Sequence, residues 1–79
     1  MNKVWLVELL EEGDDHGVLM RICDSYDKAK AYIEAQYNAY CVYHEITEMK
    51  MRHNEYNDKF TWCADGKEVS YFISCEPVL

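Results

Sequence analysis

Positive charge is scarce in this chain. Eight lysines and arginines stand against fifteen aspartates and glutamates, a formal net charge of −7 over 79 residues. A protein that grips phosphates directly needs clustered Lys and Arg, so direct nucleic-acid binding and attachment to an anionic membrane are both disfavoured. Glycine and proline are scarce too, at three and one. There is accordingly no Gly-rich phosphate loop, no Pro-rich or Gly-rich linker and no low-complexity tract, and nothing divides the chain into more than one domain. Long apolar runs are also missing. None approaches the roughly 20 residues a membrane span requires, and the apolar stretch after Lys3 is interrupted at Glu8, so neither a span nor a signal peptide is expected. A cytoplasmic location with reduced thiols follows as the expectation.

What is present is the balance of an ordinary globular domain. Hydrophobic residues make up 49% and charged residues 29%, a composition that folds rather than stays disordered. A domain of this length buries only roughly 60–65% of the surface its unfolded chain exposes, and its core supplies about 3–5 kcal/mol of net stability. Such a thin core leaves little room for a deep cleft, so a binding surface is the expected functional feature.

Residues 3–10, KVWLVELL, carry Val, Leu and Trp on both alternating faces, which predicts an interior strand buried on two sides. Residues 11–17, EEGDDHG, predict an exposed loop, and Val18–Cys23 a second strand. Asp24 or Ser25 then offers an N-cap, Asp27 sits where the helix dipole favours an acid, and Tyr26, Ala29, Ile33 and Tyr37 recur at helical spacing. The helix is expected to end near Tyr37, with Asn38 as terminator. Residues 40–49 alternate Tyr40, Val42, His44 and Ile46 against Cys41, Tyr43, Glu45 and Thr47, the pattern of a third strand. Residues 50–58 show no apolar periodicity and read as a mobile loop.

The closing hairpin is better determined. Asp65-Gly66 is the dipeptide a two-residue type I′ turn requires, because both central residues take positive φ. That turn sets Trp62 opposite Val69, Phe60 opposite Tyr71, Thr61 opposite Ser70 and Cys63 opposite Glu68, with the apolar side expected against the helix. The expected fold is α+β: an antiparallel sheet of about five strands with one amphipathic helix packed on one face, in the order β-β-α-β-β-β.

Four cysteines, at 23, 41, 63 and 75, and three histidines raise the question of a metal. Structural zinc sites present ligand pairs from one tight turn, whereas here the only short pair is Cys41 with His44, and an offset of three in a strand points to opposite faces. The cysteines read mainly as small apolar fillers. Cys23, just ahead of the helix start, is the best nucleophile candidate, but Asp24 and Asp27 oppose a lowered thiol pKa. His16 and His44 have no Ser or Cys partner at a recognisable spacing. No enzymatic activity, cofactor or metal is expected.

Two features point to a partner. The first is the acidic cluster Glu8, Glu11, Glu12, Asp14 and Asp15: residues 1–27 hold seven acids against Lys3 and Arg21. It is either a solvated loop or a display of carboxylates for a basic groove on a nucleic-acid-handling protein. The second is the seven tyrosines, more than so small a core hides. Tyr32, Tyr40, Tyr43 and Tyr56 are candidates for partner contact or self-association, or else rings lying at the rim of the core with their hydroxyls in water.

Residues 3–49 resemble a group of short uncharacterised phage and bacterial proteins in which a strand, an acidic loop, a second strand and a helix start recur in that order. The stretches that carry the resemblance are Val4-Trp5-Leu6-Val7-Glu8, residues 18–22, Ser25-Tyr26-Asp27-Lys28-Ala29 and His44-Glu45-Ile46. It covers about half the chain and implies a ββαβ fold; residues 59–75 depart from it. In size, charge and compactness the chain is also similar to phage-encoded inhibitors of bacterial defence, including anti-CRISPR proteins. That likeness implies a non-enzymatic inhibitor in the cytoplasm of a bacterial host, bound to a host protein with a basic nucleic-acid-binding surface. The other reading is a homodimeric accessory or structural protein pairing through a sheet edge or its Tyr-rich face.

Overall fold

Period-two alternation builds most of this protein. The computed structural model describes residues 2–47 and 50–78. Its elements are β1 (Lys3–Glu11), β2 (Val18–Cys23), α1 (Tyr26–Tyr43), β3 (Arg52–Asn54), β4 (Lys59–Ala64) and β5 (Lys67–Pro77). The strands form one sheet in the order β2-β1-β5-β4-β3, each antiparallel to its neighbours. The α+β class and element order are those expected.

The β4–β5 register is the expected one, with Phe60 opposite Tyr71 and Trp62 opposite Val69. Asp65 and Gly66 take φ of 53° and 81°, the left-handed geometry that aspartate and glycine tolerate. Facing α1, the sheet contributes Val7, Phe60, Trp62, Tyr71 and Ile73, and α1 answers with Ala29 and Ile33, all buried. Trp62 stacks on Tyr71 with ring centroids 5.1 Å apart, and Tyr37 meets Trp62 edge-on at 5.3 Å. Each fully buried large side chain contributes about 1.5–3 kcal/mol by leaving water. At the helix start Ser25 is the cap, its Oγ accepting the Lys28 backbone N–H at 3.2 Å.

Three expectations need correction. β1 is an interior strand, but only Val7 of it is buried; Val4, Leu6 and Leu10 are half-buried because none of the described elements covers the other side of the sheet. The helix does not stop near Tyr37. It continues to Tyr43, and residues 44–47 form a turn instead of a third strand; residues 48 and 49 of that expected strand lie outside the described residues. The stripe Ala29, Ile33, Tyr37 simply extends to Tyr40 at the next helical spacing, so the same tyrosine that fits an alternating pattern has more to bury as helix. The third strand is β3, inside the segment expected to be loop, where Arg52, His53 and Asn54 pair with Thr61, Phe60 and Lys59. His53 lies flat on Phe60, its ring centroid 4.0 Å away. Of the thiols, Cys23 is the buried filler expected, whereas Cys63 and Cys75 are exposed.

The helix ends without a glycine. Ile46 N–H donates to Cys41 O at 2.8 Å and Glu45 N–H to Val42 O at 3.2 Å, a Schellman closure that puts Glu45 at φ 53°. A side chain in that conformation costs about 1–2 kcal/mol. Glu45→Gly is therefore expected to stabilise the domain by about 1 kcal/mol, raising its thermal midpoint by roughly 4–8 °C. An unchanged or lower midpoint in a calorimetric scan would contradict this.

Candidate functional site

Antiparallel pairing decides which residues meet at each end of the sheet. β1 and β4 finish, and β2 and β5 begin, at the end where α1 terminates. The acidic turn, the Asp65-Gly66 turn and the helix C-terminus are therefore neighbours. The acidic turn is anchored by backbone: Glu12 N–H donates to Glu68 O at 2.9 Å and Asp14 N–H to Glu11 O at 3.0 Å. The second turn is tied to α1 through Tyr40, whose hydroxyl accepts the Asp65 backbone N–H at 2.8 Å and donates to Asp65 Oδ1 at 3.3 Å. No basic residue lies in the last turn of α1, so the negative end of the helix dipole adds to the nearby carboxylates.

A groove of about 430 Å³ opens here between the C-terminal half of α1 and the sheet, lined by Leu9, Glu11, Tyr40, Tyr43, His44 and Trp62 among others. Aromatic rings make up much of its wall, and Glu11 is the carboxylate among its lining residues. His44 packs against Tyr40 at 4.2 Å and Tyr43 at 4.9 Å between ring centroids, while Tyr43 keeps 83% of its surface exposed. A ring face beside a carboxylate at a negative helix end is an environment that attracts a cationic side chain.

The structure thus brings Glu11, Tyr40 and Tyr43 together and places the other candidates elsewhere. Glu12 turns toward the uncovered face of the sheet, and Asp14 and Asp15 are exposed in the turn at the same end. Glu8 is half-buried on the uncovered face, opposite Phe72 and Leu19. Tyr32 lies beneath the Arg21 guanidinium, 5.4 Å from its ring centre. Tyr56, 97% exposed, stands in the β3–β4 turn at the opposite end. Leu9, His44 and Trp62 were not among the candidates. The offsets of three and four from Tyr40 to Tyr43 and His44 were the available signal, hidden by the strand assignment. That assignment also misplaced Cys41 and His44, which share a helical face; no group of three or more His, Cys, Asp or Glu side chains converges among the described residues.

At the far end, Asp58 Oδ1 accepts the Tyr26 hydroxyl at 3.0 Å and sits 2.8 Å from His53 Nε2. Burial, then the hydrogen bond and charge of Asp58, push the Tyr26 pKa up to about 12. Because the folded state holds this proton more tightly than the unfolded one, its stabilisation is complete below about pH 10 and is lost as pH rises toward 12. Wild type is expected to lose stability over that window more steeply than Tyr26→Phe. Denaturant midpoints measured across it test this, and parallel curves would refute it.

A scan of the chain against protein-family models finds no match, and no curated protein or solved structure shows significant similarity to it.

Proposed function

We propose that this protein is a non-enzymatic binding module that captures a Lys- or Arg-bearing segment of a partner protein in the groove between α1 and the sheet. The observation that carries the reading is the convergence of Glu11 with Tyr40 and Tyr43, residues separated by about thirty positions, in one aromatic-walled groove. Acids in the adjoining turn and the helix C-terminus bias that end toward cations. A partner that itself handles nucleic acid presents such a basic surface, and occupying it would compete with phosphate. The cytoplasmic inhibitor role implied by the resemblance to phage proteins is the most specific form of this proposal. No helix of the described residues is long and apolar enough to cross a membrane.

The test is titration with a hexa-arginine peptide, followed by intrinsic tryptophan fluorescence, since Trp62 lines the groove. Saturable binding that weakens steeply with added salt is expected. Absence of saturation at millimolar peptide, or an affinity indifferent to salt, would reject the proposal.

A further inference from the structure

Strand β2 is one edge of the sheet, and five of its six residues are exposed. Four of those five are large and apolar: Val18, Leu19, Met20 and Ile22, at 56, 51, 39 and 59% exposure. They are half of the eight large hydrophobic side chains exposed among the described residues, concentrated on one short strand. Edge strands of monomeric proteins are normally guarded by lysines, prolines, charged ends or extreme shortness. The opposite edge obeys that rule: β3 has three residues, with Arg52 paired to Glu68 at 3.2 Å and His53 to Asp58. β2 does not. Its one charge, Arg21, is drawn over Tyr32 on the helix side, and its one irregularity is the register shift opposite Val7 and Glu8.

We propose that β2 pairs antiparallel with β2 of a second copy of this chain across a two-fold axis, joining the two sheets into one of ten strands. A two-fold axis perpendicular to the sheet makes the pairing antiparallel, the mode every other strand pair here uses, and lets the same apolar residues cover one another. Charge placement favours a second copy as well. The acidic turn immediately precedes β2, so the axis sets each turn beside the partner's helix start, where Lys28 faces the β2 side, and holds the two turns about 20 Å apart along the strands. Lys28 already meets Asp24 at 3.0 Å, an exposed pair that leaves it open to a further carboxylate. Alongside β2 runs a second groove, of about 640 Å³, with Arg21, Ile22, Lys28 and Tyr32 in its walls. An added strand would lay its helix-side residues into it, extending contact beyond the strand pair itself. Neither β2 nor this second groove shares a residue with the aromatic groove.

Sedimentation equilibrium from low micromolar to millimolar concentration should show the mass rising from 9.4 kDa toward twice that value. Hydrogen exchange of the amides of residues 18–22 should slow over the same range. The double variant Leu19→Lys with Ile22→Lys, at two exposed sites, should keep the thermal midpoint of the dilute wild type and stay monomeric throughout. A wild-type monomer at millimolar concentration, a dimer surviving in the double variant, or a dimer whose edge amides exchange as fast as the monomer's would each overturn the proposal. So would protection of those amides only by an added extended peptide, which would assign the edge to a foreign strand.

Discussion

Trp62→Ala is expected to remove about 3–5 kcal/mol, which equals the whole stability available to a domain of this size and leaves the chain largely unfolded at room temperature. Trp62 is 3% exposed, stacked on Tyr71 and met edge-on by Tyr37. Its loss therefore opens a cavity between sheet and helix that neither flanking ring can fill without leaving its own position. Trp62→Phe should behave differently. The indole N–H is buried and has no hydrogen-bond acceptor among the described residues, an arrangement that costs about 1–3 kcal/mol. Phenylalanine sheds that orphan donor along with some apolar area, so its net cost should stay near 1 kcal/mol. Urea denaturation of the two variants decides the matter. An alanine variant as stable as wild type would show that this indole is not the keystone of the core.

Glu11→Lys combined with Tyr43→Ala is expected to weaken hexa-arginine binding by roughly 30- to 150-fold, about 2–3 kcal/mol from a lost carboxylate and a lost ring face together. Both side chains are exposed, so stability should move by no more than about 0.5 kcal/mol. That separation makes the pair informative. The same titration with Tyr56→Ala, altered at the far end of the sheet, should leave affinity unchanged. Equal losses in the two variants would mean that the groove is not where the peptide binds.

The closing hairpin was fully legible because its determinants are local. Asp65-Gly66 can close a turn of only one size, and a fixed turn fixes which residues face each other. Ser25 and the stripe Ala29, Ile33, Tyr37 announced the start of α1 for the same reason. Its end was not legible. Residues 40–43 satisfy the periods of both strand and helix, and the choice falls to helix because Tyr40 reaches the Asp65 turn, twenty-five residues away. β3 was equally hidden, since RHN has no strand signal of its own and is held by pairing with β4 and by the His53 ring on Phe60.

The candidate site divides along the same line. The amino-acid sequence determined an excess of carboxylates in the first third of the chain, a surplus of tyrosines and the α+β class, because charge, ring count and periodicity are carried by each residue or its near neighbours. Only the tertiary structure decided that Glu11 joins Tyr40 and Tyr43, that Tyr32 and Tyr56 lie apart, and that an apolar strand stands uncovered at the edge. Strand order and the length of α1 set those distances, and both are fixed by burial against residues remote in the chain.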